Sequence, residues 1–174
     1  SLAISGISQT GSTSCLGSLF SSDTSVVNSY LRTHGVNSIC PQSNHTLLVT
    51  AILNNSPRLA KYLLEKGVSP DWPSQGKTPL MHASYKGNLQ IPRMLMQAGA
   101  DPNATDSAGN TALFYAAQNN NTRLARYLLR HGAWLNYTNY DHLSAIDIAN
   151  YNMYSRTSEF LANYYRQHLP NWTD

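Results

Sequence analysis

Groups able to do chemistry are present in this chain but not gathered into any familiar constellation. Six histidines occur, His34, His45, His82, His131, His142 and His168, and none pairs with another at i,i+4 beside an acidic residue, the spacing that presents two imidazoles on one helical face to zinc. The nine acidic residues are spread thinly, with no two carboxylates placed for acid–base exchange. Serines are abundant, yet no G-x-S-x-G turn is present to expose one as a nucleophile, and there is no phosphate-binding loop, G-x-G-x-x-G or C-x-x-C. The reading is a chain without catalysis, for which no metal, cofactor or small-molecule substrate is expected. Cys15 and Cys40 leave two readings open, a bridge in an oxidising compartment or two isolated thiols.

Composition narrows the partner class. Only 12% of the 174 residues are charged, with a formal net charge of +3, about half the usual charged share. Arg93, Arg123, Arg126, Arg130 and Arg156 hold much of the positive charge, and their reading is a solvated face. Nucleic acid is not expected, because phosphate binding needs a clustered cationic stripe. The longest apolar segment, around Leu47-Leu48-Val49, falls far short of the roughly 18 residues of a membrane span, so none is expected.

What must position any functional residue is a repeat. Thr78-Pro79-Leu80-Met81-His82-Ala83 returns as Thr111-Ala112-Leu113-Phe114-Tyr115-Ala116 and as Ser144-Ala145-Ile146-Asp147-Ile148-Ala149, at steps of 33 residues. A unit of this length cannot bury its apolar face alone, so copies must stack into a linear scaffold with a long exposed surface. Each unit carries a second apolar segment ending in glycine, as in Leu124-Ala125-Arg126-Tyr127-Leu128-Leu129-Arg130-His131-Gly132. Gly67, Gly99 and Gly132 are read as helix stops, where a left-handed residue is needed. The step from Gly67 to Gly99 is 32, and the missing residue is assigned to the loop 71–75. A further step of 32 back reaches Gly35, preceded by a segment in which Tyr30 matches Tyr62.

The six-residue signature resembles the T-P-L-H-x-A element of ankyrin repeats, and the chain is read as an all-α ankyrin-repeat solenoid with short hairpin tips. A tail over 1–12 precedes about five repeats, 13–45, 46–77, 78–110, 111–143 and 144–174, the first opening with a helix over 14–20. The last lacks a glycine stop, as suits a C-terminal cap. The resemblance implies a protein partner held by the hairpin tips and the exposed ends of the first helices. Mapped onto this sequence, those positions are Trp72, Gln75, Lys77, Tyr85, Lys86, Asn110, Gln118, Asn119, Tyr137, Tyr140, Asp141, Tyr151 and Asn152. Trp72 and Tyr137 stand where the family commonly has alanine, a change that packing alone does not demand. His82 is expected to be a hydrogen-bonded interior histidine. Asn103 and Asn136 are expected to bond the hairpin backbone; both lie in N-x-[ST] sequons, so glycosylation there would break the stack, which disfavours a eukaryotic secretory route.

Two settings stay open. The low charge and two N-terminal cysteines resemble bacterial periplasmic ankyrin proteins, including immunity proteins that occlude a toxin, with export and leader removal expected. The same module resembles translocated bacterial effectors that bind a host protein, or a cytoplasmic protein.

Overall fold

The computed structural model describes residues 24–41 and 43–168. The tail over 1–12, the expected helix over 14–20, Cys15 and the last residues lie outside that range. Among the described residues there are nine helices and one small sheet: α1 Thr24–His34, β1 Ile39–Cys40, β2 His45–Thr46, α2 Leu47–Leu53, α3 Pro57–Glu65, α4 Pro79–Lys86, α5 Gln90–Gln97, α6 Ala112–Gln118, α7 Thr122–Arg130, α8 Ala145–Tyr151 and α9 Ser155–His168. The first helices α2, α4, α6 and α8 pack side by side in a row, each also against the second helix of its own unit. This is the all-α stacked solenoid that the repeat implies.

Local chemistry sets each boundary. Thr46, Thr78 and Ser144 are extended residues whose hydroxyls accept from the amides of Val49, Met81 and Asp147, so three of the four first helices after α1 start on a side-chain cap. Thr111, at the same place before α6, is 1% exposed and its hydroxyl has no partner among the described residues. Gly35, Gly67, Gly99 and Gly132 have φ of 85°, 83°, 91° and 91°, the left-handed stop expected of them. The final helix α9 runs for 14 residues, longer than any other described helix, without such a stop.

Small residues let the helices approach. Ala51, Ala83, Ala116, Ala117, Ala145 and Ala149 are buried along the row of first helices, while Leu63, Leu95, Leu128 and Leu161 fill the space beneath from the second helices. The outer end of the stack is sewn by amides: Asn88 Nδ2 donates to Asn55 Oδ1 at 2.7 Å, and Asn121 Nδ2 to the Gly87 carbonyl at 2.9 Å. A second seam lies after the second helices, where the Asp71 carboxylate accepts from the Asp101 amide at 3.0 Å and Asn103 Oδ1 from the Trp134 amide at 2.8 Å. Asn103 thus bonds the next loop as expected. Asn136, from which the same was expected, has an exposed side chain.

The irregular step of 32 has a plain cause in the tips. The turn between Ser74 and Lys77 has two residues, Gln75 and Gly76, both at positive φ (52° and 75°), whereas Asp106 to Asn110 and Asn139 to Leu143 each span three. The shortening therefore sits in the turn at 75–76, at the far edge of the segment expected to hold it. The helices stay in phase because all the change is taken up there.

Candidate functional site

Three of the hairpin tips are each built on one buried polar residue. Ser74, Asp106 and Asn139 lie seven positions after the stop glycines and are almost fully buried. Asp106 Oδ1 accepts from the amides of Ala108 and Asn110, both at 2.9 Å, and Oδ2 accepts from the Asn110 side chain and the Tyr115 hydroxyl. Burial acts to raise the Asp106 pKa, but these donors outweigh it and hold the carboxyl below its ordinary value. Burial and the adjoining carboxylate push the Tyr115 phenol up. Both groups are thereby fixed in the protonation states they need for the hydrogen bond, the reverse of a pair tuned to exchange protons near neutrality.

Asn139 repeats the arrangement without charge. Its Oδ1 accepts from Asp141 and Leu143 at 3.1 and 3.0 Å, and its Nδ2 donates to Asn110 Oδ1 at 2.9 Å, tying one tip to the next. In the third tip, Ser74 Oγ lies 2.9 Å from His45 Nδ1 and 3.3 Å from the Thr46 amide, while His82 Nε2 is 3.0 Å from the Ser74 carbonyl. A serine beside a histidine invites a nucleophilic reading. Here Ser74 is 4% exposed and its hydroxyl accepts a backbone amide, so it is joined to the structure and not aimed at a substrate. Burial lowers the pKa of both His45 and His82, favouring neutral rings that can accept as well as donate. His82 is the hydrogen-bonded interior histidine that the sequence suggests.

The tips and first-helix ends form one face, and five of the thirteen expected contact residues meet there. Lys77, Tyr85, Asn110, Gln118 and Asp141 line a cavity of about 420 Å³ floored by Phe114, Tyr115 and Ile148. The Lys77 ammonium sits 4.8 Å from the centre of the Tyr115 ring, so the cation is held at the wall of the cavity by the ring's face. Among the tips and first-helix ends, large side chains stand in solvent: Trp72 is 50% exposed, Tyr85 58%, Tyr140 67% and Tyr151 87%. Gln75, Lys86, Gln118 and Asp141 are also exposed.

Three of the other expected contacts, Asn119, Asn152 and Tyr137, are committed to the fold, and so is Asn110 of the cavity. Asn119 and Asn152 donate to the Tyr115 and Ile148 carbonyls of their own helices, closing α6 and α8. Asn110 is held in the Asp106 network. Tyr137 departs furthest from the expectation of a free aromatic tip: it is half-buried, edge-on to Phe114 at 6.4 Å and 6.2 Å from Trp134. The ring lies edge-on to Phe114, which is 3% exposed.

Several features escaped sequence reasoning. The corner residues Ser74, Asp106 and Asn139 were legible in principle as a short polar residue at a fixed distance from each stop glycine. Trp134, 54% exposed beside Tyr137, had no such signal. On the opposite face, a histidine stacks on the tyrosine one turn before it three times, at 4.4 Å for Tyr30–His34 and 4.0 Å for both Tyr127–His131 and Tyr164–His168. In each pair the histidine Nδ1 also approaches the tyrosine carbonyl, where a donor suits the exposed carbonyls of a helix end.

Comparison with known proteins agrees with this architecture. A family model described as ankyrin repeats (3 copies) matches residues 14–106, more than half of the chain, and one described as ankyrin repeats (many copies) matches residues 91–129. Among curated proteins, the E3 ubiquitin-protein ligase MIB2 of Gallus gallus is 36% identical over 67 residues, which is 37% of this chain and 7% of that protein. The chain thus corresponds to a small part of that relative.

Proposed function

The chain belongs to the ankyrin-repeat family, a family of protein-interaction modules, and from that premise we propose that it is a non-catalytic binder that grips a protein partner on the face formed by its hairpin tips and first-helix ends. The observation that carries this reading is the convergence of Lys77, Tyr85, Asn110, Gln118 and Asp141 on one cavity, together with the exposure of Trp72, Tyr140 and Tyr151 on tips and first-helix ends. Tryptophan and tyrosine give large contact area at small rotamer cost, and interface hot spots are enriched in them. The titratable groups beneath this face, Asp106, Tyr115, His45 and His82, are all engaged in holding tips, which supports binding over catalysis.

Within this reading the partner is an exported toxin or enzyme that the chain occludes in a bacterial envelope. The low charge and the cysteine pair support that setting, and among the described residues no helix is long and apolar enough to cross a membrane. The test is a pull-down followed by calorimetric titration. Trp72→Ala and Tyr85→Ala should each weaken binding by about 2 kcal/mol while the melting temperature holds. Tyr137→Ala should lower the melting temperature, because it uncovers Phe114. Undiminished binding by both Trp72→Ala and Tyr85→Ala would remove this face from consideration. A partner recovered from a eukaryotic host, with no toxin gene beside this one, would replace the envelope setting by that of a translocated effector.

A further inference from the structure

The five arginines that the sequence scatters along the second helices do not end up scattered. Arg93 from α5, Arg123, Arg126 and Arg130 from α7 and Arg156 from α9 all line one cavity of about 870 Å³ on the opposite side of the stack from the tips, with Glu159 as its acidic member. Among the described residues the ion pair is Lys61–Glu65, elsewhere on the surface, so none of the five guanidiniums is neutralised by a carboxylate there. A cluster of like charges raises the energy of the unliganded protein, and in an open cleft floored by protein it directs a positive potential at whatever approaches.

Two of the arginines are held in place. The Arg93 guanidinium lies 5.5 Å from the centre of the Tyr127 ring and that of Arg126 lies 4.9 Å from the Phe160 ring, each reaching from one repeat to the next. A guanidinium held over a ring face by cation–π attraction keeps N–H groups to offer an anion. Arg123 and Arg130 are one turn to either side of Arg126 on the same helix and are exposed.

We propose that this cavity is a second docking site, which takes a carboxylate-rich segment of a protein partner. Charge complementarity requires an anion, and the geometry favours carboxylates on a peptide over nucleic acid. A single strand would need bare aromatic faces on which to stack its bases, but Tyr127 and Phe160 each already have a guanidinium over one face. A duplex would need a track of cations along its backbone, whereas here they are confined to one cavity.

The experiment is a fluorescence anisotropy titration of the full chain with a dye-labelled hepta-glutamate peptide, with a labelled oligothymidylate of equal charge run beside it. The peptide should bind saturably and more tightly than the oligothymidylate. The paired substitution Arg123→Ala with Arg130→Ala, which spares both stacked arginines, should weaken peptide binding about tenfold or more. Tyr85→Ala, on the other face, should leave it unchanged, which separates failure of this site from failure of the tip face. Should the alanine pair lower the melting temperature, Arg123→Lys with Arg130→Lys keeps the charge but removes the forks, and about threefold weaker binding is expected. Tighter binding of the oligothymidylate would overturn the carboxylate assignment. Equal binding by wild type and both paired variants, or binding by neither probe, would overturn the site.

Discussion

Asp106 offers the sharpest test of how the tips are held. Replacing it by alanine removes the acceptor of four hydrogen bonds at a position 8% exposed. The Tyr115 hydroxyl is buried and loses a charge-assisted bond worth about 2 kcal/mol. The Ala108 and Asn110 donors lie closer to solvent, where water takes up part of the loss, adding about 1 kcal/mol. Asp106→Ala should therefore cost about 3 kcal/mol, or roughly 6–12 °C in melting temperature for a chain of this size. Asp106→Asn keeps Oδ1 for the two backbone amides and should cost only about 1 kcal/mol. Acidity supplies an independent check. The folded pKa of Asp106 lies below the model-compound value of 3.8, so its contribution is fully present above 3.8 and is lost as pH falls through the lower folded value. The gap between wild type and Asp106→Asn should narrow over that window, because a protonated aspartate matches asparagine in shape and charge. Urea unfolding at neutral pH and along an acid series measures all three proteins. An alanine variant within 1 kcal/mol of wild type, or a gap that ignores acidification, would refute the account.

Two further outcomes follow from the tips and the N-terminal cysteines. Gly109 has φ of 80°, and an added Cβ would lie 3.0 Å from Tyr140 Cδ1 and 3.1 Å from the Tyr140 amide, so Gly109→Ala should destabilise by about 1–3 kcal/mol; adding Tyr140→Ala should recover only part of the loss, since the backbone strain remains, and full recovery would show that φ carries no cost. Cys40 is completely buried and not a free thiol, whereas Cys15 lies outside the described residues. A Cys15–Cys40 bridge is proposed; it would close a loop of about 25 residues and stabilise by about 3.5 kcal/mol. Non-reducing mass spectrometry of protein from its native compartment should show the mass two hydrogens lighter than the reduced chain, and two thiols open to alkylation would count against both bridge and export.

The one-dimensional periodicity was enough to settle the architecture, because in a stack each unit touches only its neighbours and local pattern translates directly into packing. Thr78-Pro79-Leu80 and its counterparts mark where first helices start, and Gly67, Gly99 and Gly132 mark where second helices stop, since only a residue without a Cβ takes that φ cheaply. Even the 32-residue step pointed to a tip. The exposed aromatics Trp72, Tyr85, Tyr140 and Tyr151 were likewise legible as positions on a known face. What stayed hidden depends on contacts between residues far apart in the chain. Whether Tyr137 projects or packs is decided by Phe114, 23 residues earlier in the same repeat. Whether Asp106 is a surface charge or a buried acceptor is decided by Tyr115, brought beneath it by the turn. Five arginines 63 residues apart at their extremes, from Arg93 to Arg156, became one cavity only when three repeats were stacked. Sequence spacing fixes the face of a helix on which a side chain lies, but its neighbours across the gap are set by the rotation and translation from one repeat to the next, and those are properties of the packed stack.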